Sequence, residues 1–372
     1  MTSEQKPLSR TRRNTLKLIG AAGVGLAGCM GSGDSGGNSG DSGGGSNGSE
    51  STTEGDDSSS GDYNLTLRLG HVGSKDHVTI GVFAERLADR LEEETDGRLS
   101  VEVYPAGQLG DAQGIIQGVQ EGSAHLGLVD HAAVATVTGY EPYSVFNAPY
   151  TVEEPEQMLK ATNPRENDML AEMNEEAGEQ VGLRAIGSIW LGKRHLTLDS
   201  EYTKPSDADG KIIRTTPADM WVSTIKGLGG KPESVAFGEL PNALGTGTVN
   251  GQENPLENIV LGGLHKYQSH LMMTGHIAHA QVFIVNEETW QKLTPEDQEI
   301  FTTIADEESA DTVERGEKQH QEALQTIKDE GSTEIITQDQ MDMAAIKSSV
   351  EKQVNEDYSH LSEYLDRLRE FE

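Results

Sequence analysis

From Tyr63 to Asp130 the hydrophobic period alternates between two residues and about 3.6, an order that restricts the chain to a sheet with helices packed on its faces. YNLTLRLGHV (Tyr63–Val72) alternates apolar and polar side chains, as a strand does. HVTIGVFAERLADRLEEETDG then sets Val78, Val82, Leu87 and Leu91 near one helical face and closes at Gly97. RLSVEVYP predicts a second strand, GDAQGIIQGVQEGSA a helix opened by Asp111, and HLGLVD (His125–Asp130) a third strand. Further on, GLRAIGSIW, KRHLTL and GKIIRTT predict strands of a second, smaller sheet, followed by the helix ADMWVSTIKGLGG. HAQVFIVN returns to a core as a strand. From Glu287 the pattern is helical, with Thr294 as N-cap and Pro295 in the first helical position. Two α/β lobes joined by several crossings suit a protein that forms a cleft.

The chain of 372 residues has room for one large or two ordinary α/β domains. Its 62 acidic residues against 29 basic ones give a formal charge of −33. That argues against nucleic acid as a partner, because phosphates need a basic face. The acids are spread along the whole chain, so they repel one another unless salt screens them, over a Debye length of about 3 Å at 1 M. Such a surface is expected of a halophile's protein.

TRRNTLKLIGAAGVGLAGCM (Thr11–Met30) has the order of an export signal: a basic start with Arg12 and Arg13, a short apolar run, then small residues. The paired arginines resemble a twin-arginine signal, although Thr15 stands where such signals usually carry Phe. LAGC (Leu26–Cys29) resembles the lipobox of prokaryotic lipoproteins, which implies acylation of Cys29 and a tether at the outer face of the cytoplasmic membrane. Cys29 is the only cysteine, so no disulfide framework is possible. Residues 1–28 are thus expected to be a signal and residues 29–62, rich in Gly, Ser and Asp, a flexible disordered linker. GDSGG occurs twice in that linker, but no apolar residues surround it to hold an oxyanion hole or orient a His, so the match is compositional. Asn47 and Asn64 head possible glycosylation tripeptides.

From Tyr63 to Glu372 the chain resembles the DctP-type solute-binding proteins of tripartite ATP-independent periplasmic (TRAP) transporters. The resemblance rests on GRLSVEVYPAGQLGD (Gly97–Asp111), VQEGSAHLGLVD (Val119–Asp130), SDADGKIIR (Ser206–Arg214), AFGEL (Ala236–Leu240) and ALGTGTVNGQENPL (Ala243–Leu256), in the family's order. Asn250 stands where the family often has Asp. The resemblance implies an α/β clamshell of two lobes with hinge crossings, closing over a small organic carboxylate, and a membrane permease driven by an ion gradient as partner. Lobe I is expected over about 63–190 and 280–320 and lobe II over about 191–279, with the C-terminal helices packing across both. No cofactor is expected.

By the same resemblance Arg214, in KIIR, is the carboxylate-binding arginine; its planar guanidinium can donate two parallel hydrogen bonds to one carboxylate. Thr215, Thr216 and Pro217 follow it where some sugar-acid binders carry Val-Pro-Asn, which argues against a sialic-acid-like ligand. Arg194 matches a second arginine, Phe237 an aromatic that stacks on the ligand, and Asp130 an acidic contact at the carboxyl edge of a strand. An acid there suits a hydroxyl or amine on the ligand better than a second carboxylate. Trp190 is expected either to wall the cleft or to lie in a core. Asn254, Pro255 and Glu257 fit the N-cap, N1 and N3 positions of a capping box, and the Asn254 amide is expected to donate to the ligand as well. Two other functions compete. His265, His270, His276 and His279 raise a metal-binding lipoprotein, but their spacing matches no zinc motif. An exported hydrolase would need a nucleophile or metal motif, and neither GxSxG nor HExxH occurs outside the low-complexity linker.

Overall fold

The computed structural model describes residues 63–371; the signal, Cys29, Asn47 and the linker lie outside the described residues. The strands are β1 (Leu65–His71), β2 (Leu99–Tyr104), β3 (Leu126–Asp130), β4 (Leu183–Leu198), β5 (Ile212–Thr215), β6 (Lys231–Ser234), β7 (Gly251–Pro255), β8 (His270–Asn286) and β9 (Glu334–Ile336). The helices are α1 (Ile80–Glu94), α2 (Ala112–Gln120), α3 (His131–Thr138), α4 (Pro155–Ala161), α5 (Asp168–Val181), α6 (Asp219–Gly227), α7 (Leu240–Gly245), α8 (Leu256–Leu261), α9 (Glu287–Lys292), α10 (Pro295–Glu330), α11 (Met343–Asp357) and α12 (Ser362–Arg369).

The strands form one nine-stranded sheet in the order β2-β1-β3-β8-β4-β7-β5-β6, with β9 added beside β8. This corrects the expectation of a second, separate sheet. GLRAIGSIW and KRHLTL are one strand, β4, and HAQVFIVN is only the last part of β8. Strands β2, β1 and β3 make one parallel block, and β7, β5 and β6 make another. The antiparallel pair β4–β8 belongs to both. The first half of β4 pairs with the end of β8 beside β3, and its second half pairs with β7. The β4–β8 register shifts at three places, Ala185/Gly187, Trp190/Gly192 and Arg194/Leu196. Gly192 sits at the middle shift with φ +91°, a left-handed backbone that disfavours a side chain.

Both faces of each block are covered. Helix α1 buries Phe83, Leu87 and Leu91 against Leu67, Leu69 and Phe283, with Phe83 and Phe283 edge to face at 5.8 Å. The buried stripe of α1 runs through Ile80, Phe83 and Ala84, so Val82 is only half-buried. Helix α2 opens as expected, with Asp111 accepting from the Gly114 N–H (2.9 Å), and α10 likewise on Thr294 (3.1 Å). Helix α10 has 36 residues, about 54 Å at 1.5 Å per residue. Its first turns carry Phe301 and Ile304 into the core of the first block, and its last turns carry Ala323 and Ile327 into that of the second. Between them Gly316 passes over Trp190, where a Cβ would stand 3.0 Å from the indole. Among the described residues no helix is long and apolar enough to cross a membrane.

The segment after β1 meets α8 through buried polar groups. His77 Nδ1 accepts from the N–H groups of Thr79 (3.3 Å) and Ile80 (3.2 Å), so Nε2 carries the proton and donates to Asn258 Oδ1 (3.1 Å). Glu257 Oε1 lies 3.2 Å from the same Nδ1, a fit for a carboxylic acid O–H donating to it. Burial pushes the Glu257 carboxyl up to about 7, while the Thr79 hydroxyl and the Val78 backbone pull it partly back. A folded value above the ordinary 4.5 means that this stabilisation is complete below pH 4.5 and is lost as pH rises through about 7. Glu257→Gln can still donate but cannot ionise. Its melting temperature is therefore expected to gain on the native protein's between pH 5 and 8. Melting curves across that range check this, and a pH-independent difference would refute it.

Candidate functional site

At the β4–β8 crossing the sheet gathers charged and amide side chains that should not be buried unless they satisfy one another. Arg194 on β4 is 2% exposed and Glu253 on β7 is 1% exposed. Arg194 Nε and Nη2 donate to the two carboxylate oxygens of Glu253 at 2.5 and 2.9 Å, a fork-to-fork pair. Nη2 also donates to the Glu253 carbonyl (2.7 Å) and to Asn254 Oδ1 (3.0 Å). Nη1 donates to His279 Nδ1 at 3.2 Å, which leaves His279 Nε2 to donate to Asp130 Oδ1 at 2.7 Å. The guanidinium also lies 4.0 Å above the ring of Trp221. Arg194 is thus committed to protein partners.

The acids stay ionised in spite of burial. Desolvation works to raise Glu253, but Arg194 and His276, whose Nε2 is 3.2 Å from Oε2, hold it down at about 2. Asp130 is likewise opposed by burial, yet His279 and Arg194 keep it below the usual carboxylate range. Burial lowers His279, so it is neutral at pH 7 and serves as a donor. Removing one partner from a buried pair such as Arg194–Glu253 typically costs about 3–5 kcal/mol.

Arg214 differs from Arg194 in the use of its guanidinium. It lies on β5 beside Gln252, is 2% exposed, and donates from Nε to the Val235 carbonyl at 2.8 Å. Among the described residues no acidic side chain comes within 4.0 Å of it. Burial pulls it down to about 10, offset in part by Glu253, so it remains a cation at neutral pH. Phe237 follows Val235 by two residues, in a 3-10 turn, and is half-buried against the core of α7 and α8. Asn254 is also placed with this group, but not as a cap. Its backbone belongs to β7 and pairs opposite His195, and Pro255 takes the cap position of α8. The side chain instead accepts from Arg194 and donates to Gln252 Oε1 at 2.5 Å. The capping box fails because strand pairing claims residues 251–255 and sets the helix start one residue later.

Trp190 stands apart from this group. It is fully buried under α10, with its N–H held by Thr312 Oγ1 at 2.8 Å and its indole facing Glu317. The aromatic that does reach the group is Trp221 on α6, which touches Arg194 with its face and His279 at a centroid distance of 5.4 Å. Sequence reasoning missed Trp221, Glu253 and the roles of His276 and His279. Only the position of Glu253 inside GQENP pointed to any of them. The four histidines of the metal reading go to four different partners: His265 to Glu330, His270 to Glu334, His276 to Glu253 and His279 to Asp130. Among the described residues no three His, Cys, Asp or Glu side chains come together in a way that could hold a metal ion.

Residues 69–360 match the family described as bacterial extracellular solute-binding protein, family 7 (DctP). The chain is 30% identical to a solute-binding protein of Roseobacter denitrificans, over 68% of this chain and 75% of that one. It is 29% identical to the C4-dicarboxylate-binding periplasmic protein DctP of Rhodobacter capsulatus, over 73% of this chain and 80% of that one. Its fold is similar to that of a TRAP periplasmic solute binding protein from Polaromonas sp. JS666 bound to D-erythronate. The TM-score there is 0.74 at 23% identity, covering 82% of this chain and 98% of the other. With a family match across nearly all the described residues and the two-lobed fold of the solved relative, this chain belongs to the DctP-type solute-binding proteins of TRAP transporters, and is a transport protein rather than an enzyme.

Proposed function

We propose that this protein captures a small hydroxylated monocarboxylate outside the cytoplasm and delivers it to the membrane subunits of a TRAP permease. One observation carries the ligand class: a buried, charged Arg214 whose terminal nitrogens no acid of the described chain neutralises. Burying a cation without an anion is costly, and a ligand carboxylate supplies the missing charge with two parallel hydrogen bonds. Asp130, ionised beside His279, and the buried Gln281 Oε1, which has no donor, offer acceptors to ligand hydroxyls. Both would repel or fail to satisfy a second carboxylate, so an acid of the D-erythronate type is favoured over a C4-dicarboxylate. Arg194 acts by holding Asn254, and Phe237 lies on the segment that receives Arg214. Lobe I over about 63–190 and 280–320, lobe II over about 191–279 and C-terminal helices spanning both accord with β4 and β8 as the hinge and with the reach of α10.

Truncating one partner of a buried ion pair costs about 2–5 kcal/mol. Arg214→Ala is therefore expected to weaken D-erythronate binding at least about 30-fold, with Arg214→Lys recovering part of it, since an ammonium keeps the charge but lacks the fork. Titration calorimetry with D-erythronate and succinate, paired with melting curves, checks this. Unchanged affinity in a folded Arg214→Ala protein would sink the clamp, and tighter succinate binding would sink the ligand class.

The tether and the salt habit belong to the same proposal. LAGC supports a lipid anchor on Cys29, with the acidic surface facing the medium. Cys29→Ser is expected to leave the protein unprocessed or release it from the membrane; a variant still cleaved and membrane-bound in fractionation rules the anchor out. The charge of −33 supports a halophilic habit. Molar KCl is expected to raise the melting temperature well above its value near 0.1 M, as carboxylate repulsion is screened. An unchanged midpoint contradicts the habit.

A further inference from the structure

Behind the sheet from Arg194 lies a cavity of about 320 Å³, walled by Lys193 and His195 of β4 and by His320, Leu324 and Lys328 of α10. Arg194 joins the charged group on one face of β4, while Lys193 and His195 line the cavity on the other. The floor is apolar, made by Met273, Leu324 and Ile335. Its titratable members, Lys193, His195, His320 and Lys328, are all basic, and Thr337 and Gln338 complete its polar lining. Among the described residues neither Lys193 nor Lys328 has an acidic partner within 4.0 Å, in a chain whose formal charge is −33.

His195 supplies an independent sign that this cavity takes a ligand. It is 4% exposed, and its Nδ1 accepts from the Gly275 N–H at 3.1 Å, which places the proton on Nε2. That Nε2 is buried and donates to nothing. A buried donor without an acceptor is costly, and native proteins seldom leave one unless something else satisfies it. His320 stands beside it at a centroid distance of 5.7 Å, and Glu317 offsets part of the positive charge at the rim.

We propose that this cavity is a second binding site, for an amphiphilic anion: a short aliphatic carboxylate with its headgroup on Lys193, Lys328 and His195 Nε2–H and its chain on Met273, Leu324 and Ile335. An inorganic anion would satisfy the basic groups but leave the floor wet. The site is separate from the Arg214 group, which faces the other side of the sheet.

The test uses straight-chain carboxylates and inorganic phosphate on the mature protein carrying Arg214→Ala, so that a carboxylate held at Arg214 does not contribute. Hexanoate is expected to bind this variant, to bind tighter than butanoate by roughly fourfold per added methylene, and to exceed phosphate. Adding Lys193→Gln and Lys328→Gln is expected to weaken hexanoate at least about tenfold. The same two substitutions, made without Arg214→Ala, leave D-erythronate affinity unchanged. The lysines are half-buried and exposed, so these variants should fold, and melting curves verify that. As a second readout, hexanoate is expected to shift the ring-proton resonances of His195 and His320. The proposal is overturned by hexanoate binding that vanishes with Arg214→Ala, by binding indifferent to the lysines or to chain length, by phosphate binding as tightly as hexanoate, or by no heat and no ring-proton shift at all.

Discussion

The antiparallel pairing of β4 with β8 is the constraint on which the rest of the molecule depends. Among the described residues these strands, of 16 and 17 residues, are the only ones long enough to serve both parallel blocks, and each block is completed by one end of the pair. Regular pairing over that length would carry every side chain of β4 on a strict alternation. The three register shifts break it, letting Trp190 drop beneath α10 while Arg194, four residues on, joins the charged group. Helix α10 spans the same crossing from outside and packs on both blocks, with Gly316 giving the indole its room.

Around that crossing two arginines with equal burial have opposite fates. Arg194 spends its donors on Glu253, Asn254 and His279 and rests on Trp221, so its charge is neutralised within the protein. Arg214 has a backbone carbonyl and, among the described residues, no acid within 4.0 Å. The first arrangement rigidifies the walls, and it orients the Asn254 amide that the sequence alone assigned to a helix cap. The second leaves a buried cation whose desolvation is offset only in part, by the field of Glu253. In a chain with so large an excess of acid, leaving Arg214 without one takes a specific arrangement of the backbone.

The acidity of the surface and the chemistry of the interior are governed by different physics. Exposed carboxylates interact through water and are screened by salt within a few ångströms at molar strength. Asp130, Glu253 and Glu257 are screened much less, and each is set by its own neighbours: arginine and histidine hold the first two ionised, while burial without a cation raises the third. Composition speaks to the first class and is silent on the second.

Local pattern determined much of this protein by itself. The early β-α-β-α-β order and the caps at Asp111 and Thr294 follow from side-chain periodicity and from hydrogen bonds within a turn, which a linear sequence contains, whereas only Leu87 and Leu91 of the expected α1 face lie on its buried stripe. The segments KIIR and GQENP likewise brought Arg214 and Asn254 forward from the family's motif order. Tertiary structure decided the rest. GLRAIGSIW and KRHLTL became one strand because β8 pairs along both, and residues 251–255 became a strand because β4 and β5 were there to pair with them. Trp221 rather than Trp190 reached the charged group, since a register shift, invisible in composition, selects which aromatic faces which side. The partners of Arg194 and the isolation of Arg214 depend on residues some 20 to 85 positions away. No local rule reaches that far, because pairing energies between buried charges exist only once the chain has brought them together.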